Sequence, residues 1–127
     1  MTVSEYVLDV RIVEFASPDG DPAYRFEAPD HRGIELDDRE TAELYADVYF
    51  DANGFVEAGT GERGVPPEVI LCGRDTLVAY LLTLPETDVH WVASYYGETP
   101  EKVERYVNRV EKRAAEIRAG VAERDGD

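Results

Sequence analysis

Apolar and polar residues alternate imperfectly over residues 4–15, with Tyr6, Leu8, Val10 and Ile12 on one parity and Val7, Val13 and Phe15 on the other. That pattern predicts one strand buried in part on both faces. Ser17, Pro18, Asp19, Gly20, Asp21 and Pro22 concentrate turn-forming residues, and alternation resumes over residues 23–28 with Tyr24 and Phe26 on one side. A second turn over residues 29–33, holding His31, leads to a short strand around Ile34 and Leu36. The expectation is a three-stranded antiparallel meander.

The period then changes from two to about 3.6. Ala42, Leu44, Tyr45, Val48 and Tyr49 form a stripe that can cover one sheet face, behind Asp37 or Asp38 as cap and Glu40 in the first turn. This part is similar to the arm modules of tyrosine recombinases in topology alone, without their basic residues. Residues 53–73 are rich in glycine, include Pro66 and Pro67, and read as a linker. Gly59, Gly61 and Gly64 in this stretch match the dinucleotide-binding spacing. That motif needs a strand before it and a helix after it, and Glu57 and Glu62 would repel a pyrophosphate.

Three helical patterns follow from Arg74. Asp75 is placed to cap the first, through Leu77, Val78, Leu81, Leu82 and Leu84. Asp88 caps the second, through Val89, Trp91, Val92, Ala93, Tyr95 and Tyr96, which ends at Gly97, where a left-handed residue suits glycine. Thr99 caps the third, with Pro100 in its first turn, and the pattern runs to about Ala119, leaving residues 120–127 as a disordered tail. The spacing of Val92, Ala93, Gly97, Val103, Tyr106 and Val107 resembles that of helix-turn-helix DNA-binding proteins, closely over residues 89–110 and in outline over residues 74–119. The departure is Glu98, where that family usually places an apolar residue. Together these readings predict an α+β fold: an acidic β-β-β-α part over residues 1–52, then a three-helix helix-turn-helix unit.

Charge sharpens the functional reading. Of 127 residues, 28 are acidic and 13 basic, for a net charge of −15, and only two of the bases, Lys102 and Lys112, are lysines. This balance resembles cytosolic proteins of extremely halophilic archaea, where molar salt screens self-repulsion. Residues 1–70 carry 17 acids and 5 bases, so the negative charge sits mainly in the first half. Against it, at about 100° per residue, Val103, Tyr106, Val107, Val110, Ala114 and Ile117 share one arc of the last helix. Lys102, Arg105, Arg109, Lys112 and Arg113 share the next, and Glu101, Glu104 and Glu111 a third.

A segregated basic arc on the third helix is what a recognition helix offers to the major groove. Thr99, Lys102, Arg105 and Asn108 are the candidates for bases or backbone, with Arg109, Lys112 and Arg113 on phosphates. The partner expected is double-stranded DNA, bound by a homodimeric transcriptional regulator, since one such unit reaches few bases. The alternative is a protein-interaction adaptor or antitoxin-like module without DNA binding, its acid serving solubility.

Other chemistry finds little footing. One cysteine and two histidines preclude an intramolecular disulfide and leave no ordinary zinc site. No nucleophile–base–acid set can be assembled, and neither an enzyme nor a cofactor is expected. Glu5, Asp9, Arg11 and Glu14 interrupt the stretch where a secretory signal would be apolar, so a cytoplasmic protein without membrane spans is expected. Trp91, Tyr95 and Tyr96 read as core, Cys72 as a buried small residue and His90 as a surface or capping residue.

Overall fold

The computed structural model describes residues 2–29, 31–52, 69, 72–84 and 87–125. Four antiparallel strands, β1 (Thr2–Glu5), β2 (Arg11–Ala16), β3 (Pro22–Ala28) and β4 (His31–Leu36), form a meander in chain order. Four helices follow: α1 (Arg39–Asp51), α2 (Arg74–Leu82), α3 (Val89–Tyr96) and α4 (Pro100–Asp125). The α+β class stands, but the sheet has four strands rather than three.

The extra strand comes from a hairpin inside the stretch read as one strand. Leu8 and Asp9 both have φ of 60°, and Val10 N–H donates to Val7 C=O at 3.3 Å while Tyr6 N–H donates to Val10 C=O at 2.8 Å. Two successive left-handed residues reverse the chain with the twist that paired strands need. The mixed parity thus reflects two strands out of phase across a turn. At the other end of the sheet, β4 starts at His31, within the stretch read as turn, and an irregularity between Phe26 and Ala28 shifts its register against β3.

α1 is the middle layer. It rests on β3 and β4 on one side and on α2 and α4 on the other. Its buried residues therefore exceed a single stripe: Ala42, Tyr45, Ala46, Val48 and Phe50 are all enclosed. Aromatic contacts run straight through the layers, with Phe26 of β3 edge-on to Tyr45 at 5.0 Å and Tyr45 against Tyr80 of α2 at 6.2 Å. Asp38 caps α1, one oxygen accepting from Thr41 N–H at 2.8 Å and the other from its hydroxyl at 2.9 Å.

The two parts expected from the sequence share one core. Val110 and Ala114 of α4 and Ala79 and Tyr80 of α2 pack in the same cluster as Ile12, Phe26 and Val48. Most of the expected linker, including the three-glycine motif, lies outside the described residues. Within it, Val69 is helical and fully buried in that cluster. Cys72 is exposed, contrary to expectation; the inward position falls to Val69, about one helical turn earlier. The tail expected to be disordered from residue 120 is helical through Asp125, and Val121 is buried, one more turn of the apolar face begun at Val103.

Candidate nucleic-acid interface

α3 and the first turns of α4 form a compact pair over a smaller cluster of Val78, Val92, Ala93, Val103 and Tyr106. Asp88 caps α3 by accepting from Trp91 N–H at 2.7 Å. At the other end Gly97 has φ 67°, and Glu98 N–H donates to Ala93 C=O at 2.8 Å and Gly97 N–H to Ser94 C=O at 3.2 Å. This pair of bonds closes a helix whose next residue is left-handed, a conformation glycine adopts without a Cβ clash. Thr99 then caps α4, its hydroxyl oxygen accepting from Lys102 N–H at 3.2 Å. Both caps and the turn fall where the sequence places them. Asp75 does not cap α2: Gly73 holds that position, and Asp75 sits in the first turn with one oxygen turned to α4.

Glu98, the departure from the helix-turn-helix spacing, has a structural role of its own. Its carboxylate bridges Arg74 of α2 at 3.2 Å and Lys102 of α4 at 3.1 Å, so an ion bridge joins the two helices where an apolar anchor was expected. Its bond and charge raise the Lys102 ammonium above its usual range.

The seven candidate residues divide into three groups. Arg105, Asn108, Arg109 and Lys112 are exposed along one flank of α4, and Arg105, Arg109 and Lys112 make no ion pair with a described residue. Thr99 and Lys102 stand at the head of that flank, Thr99 as cap and Lys102 engaged with Glu98. Tyr106, largely buried beneath, presents its ring to Lys102 at 5.8 Å and to Arg109 at 5.7 Å. Two neighbouring cations are held over one aromatic face.

Arg113 is not part of this surface. Its guanidinium grips Asp51 of α1 with two bonds, Nε to Oδ1 at 2.7 Å and Nη2 to Oδ2 at 2.8 Å, and reaches Asp75 of α2 at 2.8 Å. Thr76 hydroxyl donates to the same Asp51 carboxylate at 2.7 Å. The two carboxylates raise the guanidinium far above its usual range. The angular argument contains the reason: Arg113 lies only roughly 20° from Tyr106 at the edge of the packed face, so its long stem reaches inward between α1 and α2. A matching bridge, which sequence reading missed, joins Arg118 to Asp47 at 2.7 Å, with the guanidinium 5.3 Å from the Tyr6 and Phe50 rings.

The aromatic residues of α3 also depart from expectation. Trp91 and Tyr95 are 45% and 64% exposed and stack on each other, 5.3 Å apart with an interplanar angle of 12°. Helical spacing brings them together, but on the flank away from Ala93. Tyr96 is half-buried, with Arg74 over its ring at 5.4 Å. His90 is exposed. Among the described residues no group of histidine, cysteine and carboxylate side chains is placed to hold a metal ion, and no helix is long and apolar enough to cross a membrane.

Comparison of the chain with protein-family models, with curated proteins and with solved structures finds no match.

Proposed function

We propose that the chain binds double-stranded DNA through α4, as a sequence-specific transcriptional regulator of the helix-turn-helix class. The observation that carries this reading is the flank Arg105, Asn108, Arg109 and Lys112: contiguous, exposed, and set on a helix that is angled from α3 by a glycine turn. Arginine there can donate two bonds to guanine O6 and N7, and asparagine can pair with adenine N6 and N7. Arg113 leaves the contact set because its donors are already spent on Asp51 and Asp75.

The net charge of −15 sets the conditions. In dilute buffer it repels a phosphate backbone; in molar salt the Debye length falls to about 3 Å, removing that repulsion and with it most of the gain from counterion release. Affinity must then come from base readout and from pairing of two copies on a two-fold site, so a homodimer is the active form proposed.

The test is fluorescence anisotropy with genomic DNA fragments in molar potassium chloride. Wild type is expected to select particular fragments, and an Arg105→Ala, Arg109→Ala double variant to lose at least about thirtyfold, from roughly 1–3 kcal/mol per base contact. Equal binding by the two proteins, or no selective binding by wild type, rejects the assignment. A scattering mass of one chain on the bound fragment rejects the dimer.

A further inference from the structure

An open cleft of about 590 Å³ lies where the start of α1 meets the end of α2 and the start of α3. Its apolar lining is Leu44, Leu82 and Val89, each half-buried, from three different helices. The hydroxyls beside them are already engaged: Thr87 donates to Leu81 C=O at 2.7 Å and to Leu84 C=O at 2.9 Å, and Thr41 to Asp38. What the floor offers a ligand is therefore apolar surface, with these donors already committed. Around it stand the exposed carboxylates of Asp38, Glu40 and Asp88. The one lining cation, Arg39, is drawn off to Glu14 at 3.1 Å and to the Tyr24 ring at 5.8 Å.

We propose that this cleft docks a cationic amphipathic segment of a partner protein. Aliphatic side chains of that segment seat on Leu44, Leu82 and Val89 while flanking lysines or arginines meet the rim carboxylates. Charge complementarity argues for this occupant: three acids surround the floor, the helix starts at Asp38 and Asp88 already have their amides answered by those same side chains, and the lining cation is paired elsewhere. A second copy of this chain would bring its own net charge of −15 to an acidic rim. The proposal is independent of DNA binding by α4, because it uses other residues.

The probe is a short synthetic helix with leucines one turn apart among lysines and arginines. A companion peptide has the leucines replaced by alanine at the same charge. Binding to the full chain is measured by anisotropy at the lowest salt that keeps it folded. Glu40→Lys should weaken the leucine peptide by roughly tenfold, Asp19→Lys on the distant β2–β3 turn should leave it unchanged, and the alanine peptide should bind about tenfold more weakly. Equal weakening by both substitutions, or equal binding of both peptides, means diffuse attraction and overturns the proposal; so does absence of binding. Concentration-dependent doubling of mass that Glu40→Lys abolishes assigns the cleft to a second copy and also overturns it.

Discussion

Replacing Arg113 by alanine removes the guanidinium fork from Asp51 and the single bond to Asp75 in one step. The Asp51 side chain is only 4% exposed. It would keep the Thr76 hydroxyl but share the vacated space with a second carboxylate. Breaking a buried pair from one side costs about 3–5 kcal/mol. Arg113 itself is 40% exposed, so water already screens part of the interaction, and about 2–3 kcal/mol is the expected loss. At about 3–5 °C per kcal/mol for a chain of this size, the variant should melt roughly 10 °C lower by circular dichroism. The gap should persist in molar potassium chloride, because a partly buried pair is screened far less than a surface one.

Acidification provides a second signature of the same network. Burial pushes the Asp75 carboxyl up, but the Arg113 bond and charge outweigh it and hold the group below its ordinary value of 3.8. A carboxylate depressed in the folded state contributes stability that is full above its unfolded pKa and is lost as pH falls through the folded value. Wild type loses this contribution on acidification below about pH 4, and the variant has none to lose, so their melting temperatures should converge by about pH 3. A variant within about 1 °C of wild type at neutral pH, or a gap that does not narrow in acid, would refute the reasoning.

Three further outcomes follow from local geometry. Leu8→Asn with Asp9→Gly places the residues that favour two left-handed positions in the β1–β2 hairpin, and should raise stability by about 1 kcal/mol in denaturant titration; a loss would mean that half-exposed Leu8 contributes packing greater than its backbone strain. Gly97→Ala meets no atom within 4 Å of the new Cβ, so its expected cost of about 1–2 kcal/mol is that of the left-handed backbone alone, and Gly97→Asn should recover part of it; equal melting of all three proteins contradicts this. Burial raises the Asp47 carboxyl above its ordinary value despite the 2.7 Å bond to Arg118. A raised folded pKa means stability that is full below the unfolded pKa and declines as pH rises through the folded value. Asp47→Asn, which keeps an acceptor for Arg118, should therefore cost under about 1 kcal/mol at neutral pH, and a loss above about 2 kcal/mol would show the charge itself to be needed.

Several elements were legible because their causes are local. Asp38, Asp88, Gly97 and Thr99 act on amides and carbonyls within a few residues, and each stands where spacing puts it. The packed arc of α4 was likewise readable, since 3.6-residue periodicity needs no knowledge of the partner. The β1–β2 hairpin was not: Leu8 and Asp9 carry none of the usual turn residues, and strand pairing holds them in a conformation they would rarely choose. The basic flank was readable as a direction in space, but the fate of each charge on it was not.

The amino-acid order by itself determined the α+β class, the helix caps, the glycine turn between α3 and α4, and the segregation of charge around the last helix. All of these follow from neighbours along the chain. Only the tertiary structure decided that α1 lies between sheet and helices, that Trp91 and Tyr95 face outward, and that Arg113 and Arg118 turn inward to Asp51, Asp75 and Asp47. A guanidinium on a long stem can serve either a carboxylate or a phosphate. Which one it meets depends on acids 38 to 71 residues away in sequence, brought within reach by the packing of α1 and α2 on α4.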